Sequence, residues 1–170
     1  MLDHSVRIME ERQGRDAAGP RLEIDVRHFQ SLFWRLLVVA EPESQFALIE
    51  EYVSSAPDLG AYTNAAVEIV VQQAAKVEYV SVQNLSRGTW HFASHHARVE
   101  RDAELDWVAG GFGSAKGKVW IQNDLAGPGA TSRVTGAYFA DGTQHLDYDT
   151  FQEHMAPSTR TTTGPLPVRS

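Results

Sequence analysis

Apolar and polar side chains alternate with a period of two along most of this 170-residue chain. The clearest example is residues 97–107, where odd positions carry small or apolar side chains except at Arg101, and even positions carry charged ones. Successive side chains of a β-strand point to opposite faces, so the pattern predicts strands with one buried face. It predicts that Trp107 is buried and that Asp102, Glu104 and Asp106 point outward.

Further runs rich in β-branched and aromatic residues predict more strands. Turn signals separate most of them, and no helical stripe extends beyond about two turns. Besides 97–107, the predicted strands are residues 21–27, 36–40, 46–53, 66–72, 77–83, 118–123 and 133–139.

A weak internal repeat accompanies the strands. Segments with the plan of small residue, strand and turn begin at Ser44, Ala74, Asp102 and Gly129. This near-regular spacing is typical of stacked coils, in which each unit buries its face against the next. The repeat favours an all-β solenoid with about two strands per coil. Strands at this spacing are equally compatible with a β-sandwich or jelly roll.

The composition limits which binding partners and which cellular location are expected for this chain. The formal net charge is −7, and Arg98 and Arg101 alternate with acidic residues, so no nucleic-acid partner is expected. Cysteine is absent, which excludes disulfides and thiolate ligands from this chain. No apolar run approaches the roughly 20 residues of a membrane-spanning helix, and residues 1–16 lack an apolar signal segment. We therefore expect a cytoplasmic protein without a membrane partner.

A series of eight short phrases covers roughly residues 34–160: Arg35–Glu41, Leu48–Tyr52, Tyr79–Leu85, Trp90–Phe92, Ala97–Ala103, Leu105–Val108, Gly127–Ala130 and Gln144–Asp147. In order and spacing the series resembles the core domain of the SufB/SufD family of iron–sulfur cluster assembly scaffolds. The Gln144–Asp147 phrase and the lack of cysteine are more similar to SufD than to SufB.

The resemblance implies a right-handed parallel β-helix that acts as a non-catalytic scaffold. It also implies partners: SufB-like and SufD-like cores pair with each other, and each binds the SufC-like ATPase through a separate helical segment. The family's complex assembles the iron–sulfur cluster, and we expect this chain alone to bind no cofactor. The alternative function is a carbohydrate-active or metal-dependent β-solenoid enzyme.

The resemblance is partial, since the later coils of the family have no counterpart here. We expect a flexible segment over residues 1–20, a β-helix core over 21–160 and a flexible tail over 161–170. A truncated solenoid exposes unpaired strand edges at its ends. Self-association through those ends, or binding of a partner there, is therefore expected.

One candidate metal site lies near the end of the chain. His145, Asp147 and Asp149 share a parity, which would direct one imidazole and two carboxylates to the same side of a strand. Such nitrogen and oxygen ligands suit iron(II), manganese or zinc. The simpler alternative is an exposed strand edge beside the turn at Asp141 and Gly142.

The other histidines carry weaker hypotheses. His91 and His95 share one strand face and His96 points away, which permits a metal site but is more often a hydrogen-bonded surface group. His28 and His154 stand alone and are expected to be structural or solvated.

Two further patterns allow an enzymatic interpretation. The outward carboxylates Asp102, Glu104 and Asp106 have a spacing that glycoside hydrolysis can use, although a solvated charged face is commoner. Trp120 could provide a sugar platform. The glycine-rich segment 110–117 lacks the phosphate-loop order and a following helix, which favours a turn between coils.

Overall fold

The computed structural model describes residues 31–165, which form ten β-strands. No helix that could cross a membrane occurs among these residues. In chain order the strands are β1 Ser31–Ala40, β2 Gln45–Val53, β3 Tyr62–Val71, β4 Lys76–Asn84, β5 Trp90–Val99, β6 Glu104–Gly111, β7 Lys116–Leu125, β8 Thr131–Tyr138, β9 His145–His154 and β10 Arg160–Pro165.

The strands wind into five stacked coils. Odd-numbered strands form one five-stranded sheet, sheet A, and even-numbered strands form a second, sheet B. Every strand pairs in parallel with the strand two places along the chain; Val67 of β3, for example, lies opposite Leu36 of β1 and His95 of β5. This architecture confirms the predicted parallel β-solenoid with two strands per coil. The β-sandwich and jelly roll, which are built from antiparallel sheets, are wrong.

The predicted repeat corresponds to the strands of sheet B. These strands begin at Gln45, Lys76, Glu104, Thr131 and Arg160. Each repeat contains one strand of each sheet and two connecting segments. The small variation in its length reflects connections of different length, since the strands themselves stay in register.

Residues 97–107 do not form the single strand that their alternation predicts. β5 ends at Val99 and β6 begins at Glu104, with a turn between them. Asp102 in this turn has a positive φ of 55°, and its N–H donates to the Pro128 carbonyl in the next coil (3.0 Å). The turn has an even number of residues, so the buried parity continues from Val99 to Ala103. The alternation of apolar and polar side chains therefore continues through the corner, so the sequence pattern does not show where the corner lies.

The same corner recurs in every coil, between each strand of sheet A and the next strand of sheet B. A residue with positive φ occupies an equivalent place each time, and its N–H donates to a carbonyl of the following coil where one is described. A positive φ at the third position of a β-turn is typical of type II. These residues are Glu43, Ala74, Asp102, Gly129 and Ser158.

The core lies inside the coils and consists of inward side chains from both sheets. Trp107 of β6 is fully buried, as its parity predicts, and packs edge-on against Tyr79 of the preceding coil (ring centroids 4.9 Å apart). Trp120 of β7 points outward and is 42% exposed. The predicted assignment of inner and outer faces is therefore confirmed for these strands.

The expected terminal segments fall mostly outside the described residues. The flexible segment at 1–20 and the strand at 21–27 lie outside them, as do residues 166–170 of the expected tail. Residues 161–165, also assigned to the tail, instead belong to β10 and pair with β8.

We predict that Trp107→Ala lowers the free energy of unfolding by roughly 3–5 kcal/mol, because it removes the largest fully buried side chain. Urea titration followed by circular dichroism measures this loss. The matched control is Trp120→Ala on the outer face, which should cost under about 1 kcal/mol. Equal losses in the two variants would contradict the assignment of the faces.

Candidate functional site

Asp147 and Asp149 of the candidate metal site bind a lysine. The two aspartates lie on the outer side of β9, and Nζ of Lys118 on the adjacent β7 donates to Oδ2 of each (2.7 and 2.6 Å). These hydrogen bonds raise the pKa of Lys118, and the bond to Asp147 has the larger effect. His145 begins the same strand. Within residues 31–165 no group of three or more histidine or acidic side chains is arranged to hold a metal ion.

The outward carboxylates of β6 form ion pairs between coils. Glu104 binds Lys76 of the preceding coil (2.8 Å), and Asp106 binds Arg133 of the following coil (Nε to Oδ1, 3.0 Å). Asp102 occupies the corner before the strand. The predicted outward direction is confirmed, but both strand carboxylates are engaged by cations. They resemble a charged solvated face more than a pair that shares a substrate.

The glycine-rich segment 110–117 is a tight connection between coils. Gly110 and Gly111 end β6, and β7 begins at Lys116. A Cβ at Gly111 would collide with the Tyr148 side chain, and one at Gly113 would collide with the backbone of Leu85. Glycine is needed here because other groups approach the backbone closely. The predicted turn between coils is confirmed for residues 112–115, whereas residues 110–111 and 116–117 belong to strands.

His91 and His95 lie inside the solenoid, at 1% and 3% exposure, so the expectation of surface histidines is wrong for both. Their shared face was predicted correctly, but it is the inner face of β5. His96 points outward as expected, and its Nε2 lies 2.8 Å from Oδ2 of Asp124. His154 contacts the hydroxyls of Thr159 and Thr161, and His28 lies outside the described residues.

A buried acid organises one end of the interior. Glu50 of β2 is 7% exposed and accepts hydrogen bonds from the hydroxyls of Tyr52 (2.6 Å) and Tyr79. Nε1 of Trp34 donates to the Tyr52 hydroxyl (3.3 Å). Burial raises the pKa of Glu50 and outweighs the two tyrosine hydrogen bonds, which lower it. Burial also raises the pKa of both tyrosines, with the charge of Glu50 as the next cause.

The two buried histidines are neutral at neutral pH. Burial lowers the pKa of His91 to about 4, and its Nδ1 lies 2.8 Å from Oγ1 of Thr63. Burial, followed by repulsion from His91, lowers the pKa of His95 to about 3. The His95 ring stacks on Trp107, with centroids 5.5 Å apart and planes 15° apart.

Tyr52 and the two buried histidines line a small internal cavity. Its polar lining consists of Tyr52, Ser81, Gln83, His91, His95 and Tyr148. Only the histidines among them were recognised from the sequence. One signal was available, because Glu50 shares a parity with Phe46, Leu48 and Tyr52 and therefore places an acid on the apolar face of β2. Gly110 and Val119 complete the lining of the cavity, which contains no acidic side chain.

The outer face of sheet A carries several large exposed apolar side chains. Tyr62 packs between Phe33 and Phe92 (centroids 5.7 and 5.5 Å away), and Nζ of Lys116 lies 4.5 Å from the Trp90 ring centre. This surface was missed from the sequence, although β1 is apolar on both parities. Its large exposed hydrophobic side chains are Phe33, Leu37, Val39, Trp90, Trp120 and Phe151.

Comparison with known proteins gives a consistent result. The family described as "SUF system FeS cluster assembly, SufBD core domain" matches residues 23–163. An iron–sulfur cluster assembly SufBD family protein of Mycobacterium leprae is 29% identical over 127 residues, which are 75% of this chain and 15% of that protein. A SufBD family protein of Mycobacterium tuberculosis is 32% identical over 96 residues, 56% of this chain and 11% of that protein.

A third relative is the iron–sulfur cluster assembly protein SufB of Bacillus subtilis. It is 25% identical over 130 residues, 76% of this chain and 28% of that protein. The chain thus spans less than a third of the length of these relatives. No solved structure matches it.

We predict that acid destabilises the protein through its buried histidines. Between pH 6.5 and the folded pKa values of about 4 and 3, the unfolded chain binds more protons than the folded one. Each histidine should therefore remove about 2 kcal/mol of stability between pH 7 and pH 5. Glu50 acts in the opposite direction, because its pKa is raised on folding.

Urea titrations at pH 7 and pH 5 isolate the effect of one histidine when wild type is compared with His95→Phe. The variant should lose about 2 kcal/mol less than wild type over this interval. Ser94→Ala, on the outer face of the same strand, is the control and should behave as wild type. An unchanged pH dependence in His95→Phe would contradict the prediction.

Proposed function

The chain belongs to the SufBD core family of the SUF system for iron–sulfur cluster assembly, and from this premise we propose that it is a SufD-like scaffold without catalytic activity. In this role it presents its β-solenoid to SufB-like and SufC-like partners. The absence of cysteine and the Gln144–Asp147 phrase support a SufD-like role over a SufB-like one. The cytoplasm is the proposed location.

The observation that carries the proposal is the set of large exposed apolar side chains on the outer face of sheet A. Large exposed apolar patches on soluble proteins mark interaction sites, and tryptophan is enriched among the residues that dominate binding energy. Trp90 and Trp120 are 46% and 42% exposed on a sheet held in register by parallel ladders. A rigid backbone of this kind lowers the entropy cost of docking, because little has to be ordered.

The charged groups support a structural role for the rest of the surface. Lys76–Glu104 and Arg133–Asp106 join neighbouring coils of sheet B, and Lys118 joins β7 to β9 in sheet A. A glycosidase would need two carboxylates with free access to a substrate. The alternative of a carbohydrate-active or metal-dependent β-solenoid enzyme is therefore not favoured.

The iron–sulfur cluster is the cargo of the proposed complex. A chain without cysteine offers no thiolate, the ligand that holds most protein-bound clusters. Cluster ligands would accordingly come wholly or mainly from the partners. Self-association through the solenoid ends is a further prediction. The edge strands of the described coils, where another molecule would pair, are β1 and β2 on one side and β9 and β10 on the other.

The test is co-purification of the tagged chain with the SufB-like and SufC-like proteins of the same genome, followed by affinity measurement in calorimetry. We expect Trp120→Glu to weaken binding of the SufB-like partner by roughly 30-fold, because a central tryptophan contributes about 2 kcal/mol or more to such interfaces. The matched control is Ile49→Glu on the outer face of sheet B, where Ile49 is also exposed; its affinity should equal that of wild type.

Circular dichroism establishes that both variants are folded. Failure of wild type to bind either partner would contradict the scaffold role, and so would equal binding by Trp120→Glu and wild type. Hydrolysis of any member of a polysaccharide panel would support the enzymatic alternative instead.

A further inference from the structure

Buried polar atoms without a hydrogen-bond partner concentrate on one inner surface of the solenoid. Within residues 31–165 they are both ring nitrogens of His95, the Tyr148 hydroxyl, Oδ1 of Asn123 and Nε2 of Gln152. All four residues lie on sheet A, on strands β5, β7 and β9. His95 and Tyr148 face the same internal cavity.

Burying these groups without a hydrogen-bond partner lowers the stability of the folded state. A neutral imidazole has one donor and one acceptor, and a phenol hydroxyl has both functions. A buried polar group without a partner costs about 1–3 kcal/mol, so His95 and Tyr148 together would lose a substantial part of the stability of a small domain. The folded state requires a partner for them.

The Gln83 side chain, which also faces the cavity, is already engaged elsewhere. Its amide nitrogen donates to the Gly113 carbonyl (3.1 Å) and to Oγ of Ser114 (3.2 Å), and its carbonyl accepts from the Leu85 N–H (2.9 Å). Burial raises the pKa of Tyr148 to about 12, and the nearby Gln83 amide opposes this only in part. No hydrogen bond of good geometry joins the two side chains, so Gln83 does not satisfy the tyrosine.

Ser81 does not satisfy His95 either. It lines the cavity beside His95, but its Oγ accepts a hydrogen bond from Nε1 of Trp107 (3.4 Å). Neither ring nitrogen of His95 has a partner among the described residues. The partner that His95 and Tyr148 require must therefore come from outside these side chains.

We propose that this cavity is a binding site for one internal water molecule, which bridges the His95 imidazole and the Tyr148 hydroxyl. The cavity has room for about one water molecule, which needs two to four polar partners. Its lining offers donors and acceptors and contains no carboxylate or ammonium group. The site is independent of the proposed scaffold function.

Glycine at position 111 makes room for this arrangement. A Cβ there would collide with the Tyr148 hydroxyl and ring, so only glycine lets the tyrosine extend across β6 to the cavity. Tyr148 also stacks on Tyr138 with parallel rings 5.7 Å apart. The hydroxyl is therefore held in place by packing on both sides, which preorganises the site.

The test uses the full chain in two measurements. A crystal structure at about 1.5 Å resolution should show a solvent peak within hydrogen-bond distance of a His95 ring nitrogen and of the Tyr148 hydroxyl oxygen. Tyr148→Phe should raise the equilibrium constant for unfolding by roughly fivefold, because it removes a hydrogen bond to the water. Tyr62→Phe, on the outer face of the same sheet, is the control and should leave this constant within twofold of wild type.

The direction in which Tyr148→Phe changes the unfolding constant shows whether the Tyr148 hydroxyl has a hydrogen-bond partner. If the Tyr148 hydroxyl were unpaired in the folded protein, its removal would lower the unfolding constant or leave it unchanged, and either result would overturn the proposal. A cavity without solvent density in the crystal would overturn it equally. A conservative change from tyrosine to phenylalanine keeps the ring, so both variants should fold.

Discussion

The structure depends on the packing of each inward side chain against its equivalent in the next coil. Tyr79, Trp107 and Val134 lie opposite one another on three successive strands of sheet B, and all three are fully buried. Parallel ladders hold the strands in register, so the apolar contacts and backbone hydrogen bonds reinforce each other. No coil can bury its own face, which makes the stability of each one depend on its neighbours.

In this arrangement the inner and outer faces of each strand have different roles. The inner face accommodates Glu50 and His91 because tyrosine and threonine hydroxyls lie within hydrogen-bond distance of them, and His95 stacks on Trp107. Because burial lowers the pKa of both histidines, acid destabilises this interior. The outer face carries ion pairs between coils on both sheets, and on sheet A it also carries large exposed apolar side chains. Such a division suits the proposed scaffold role, because a partner would bind the outside without disturbing the core.

Much of this fold could be predicted from the sequence, since period-two alternation and the near-regular repeat both follow directly from coil geometry. The corner at Glu100–Ala103 could not, because it contains neither glycine nor proline and preserves parity. Glu50 was missed because alternation gives each residue a face but does not name its hydrogen-bond partners. Lys118 was missed because its pairing with Asp147 and Asp149 depends on the register between strands that are distant in the sequence.

The central claim is that consecutive coils pair in parallel and in register, and nuclear Overhauser effects between backbone protons test it most directly. The account predicts a continuous series of contacts between strands of adjacent coils, such as Val67 with Leu36 and with His95. Close Hα–Hα contacts between strands that follow each other in the chain, which are characteristic of antiparallel hairpins, would contradict it.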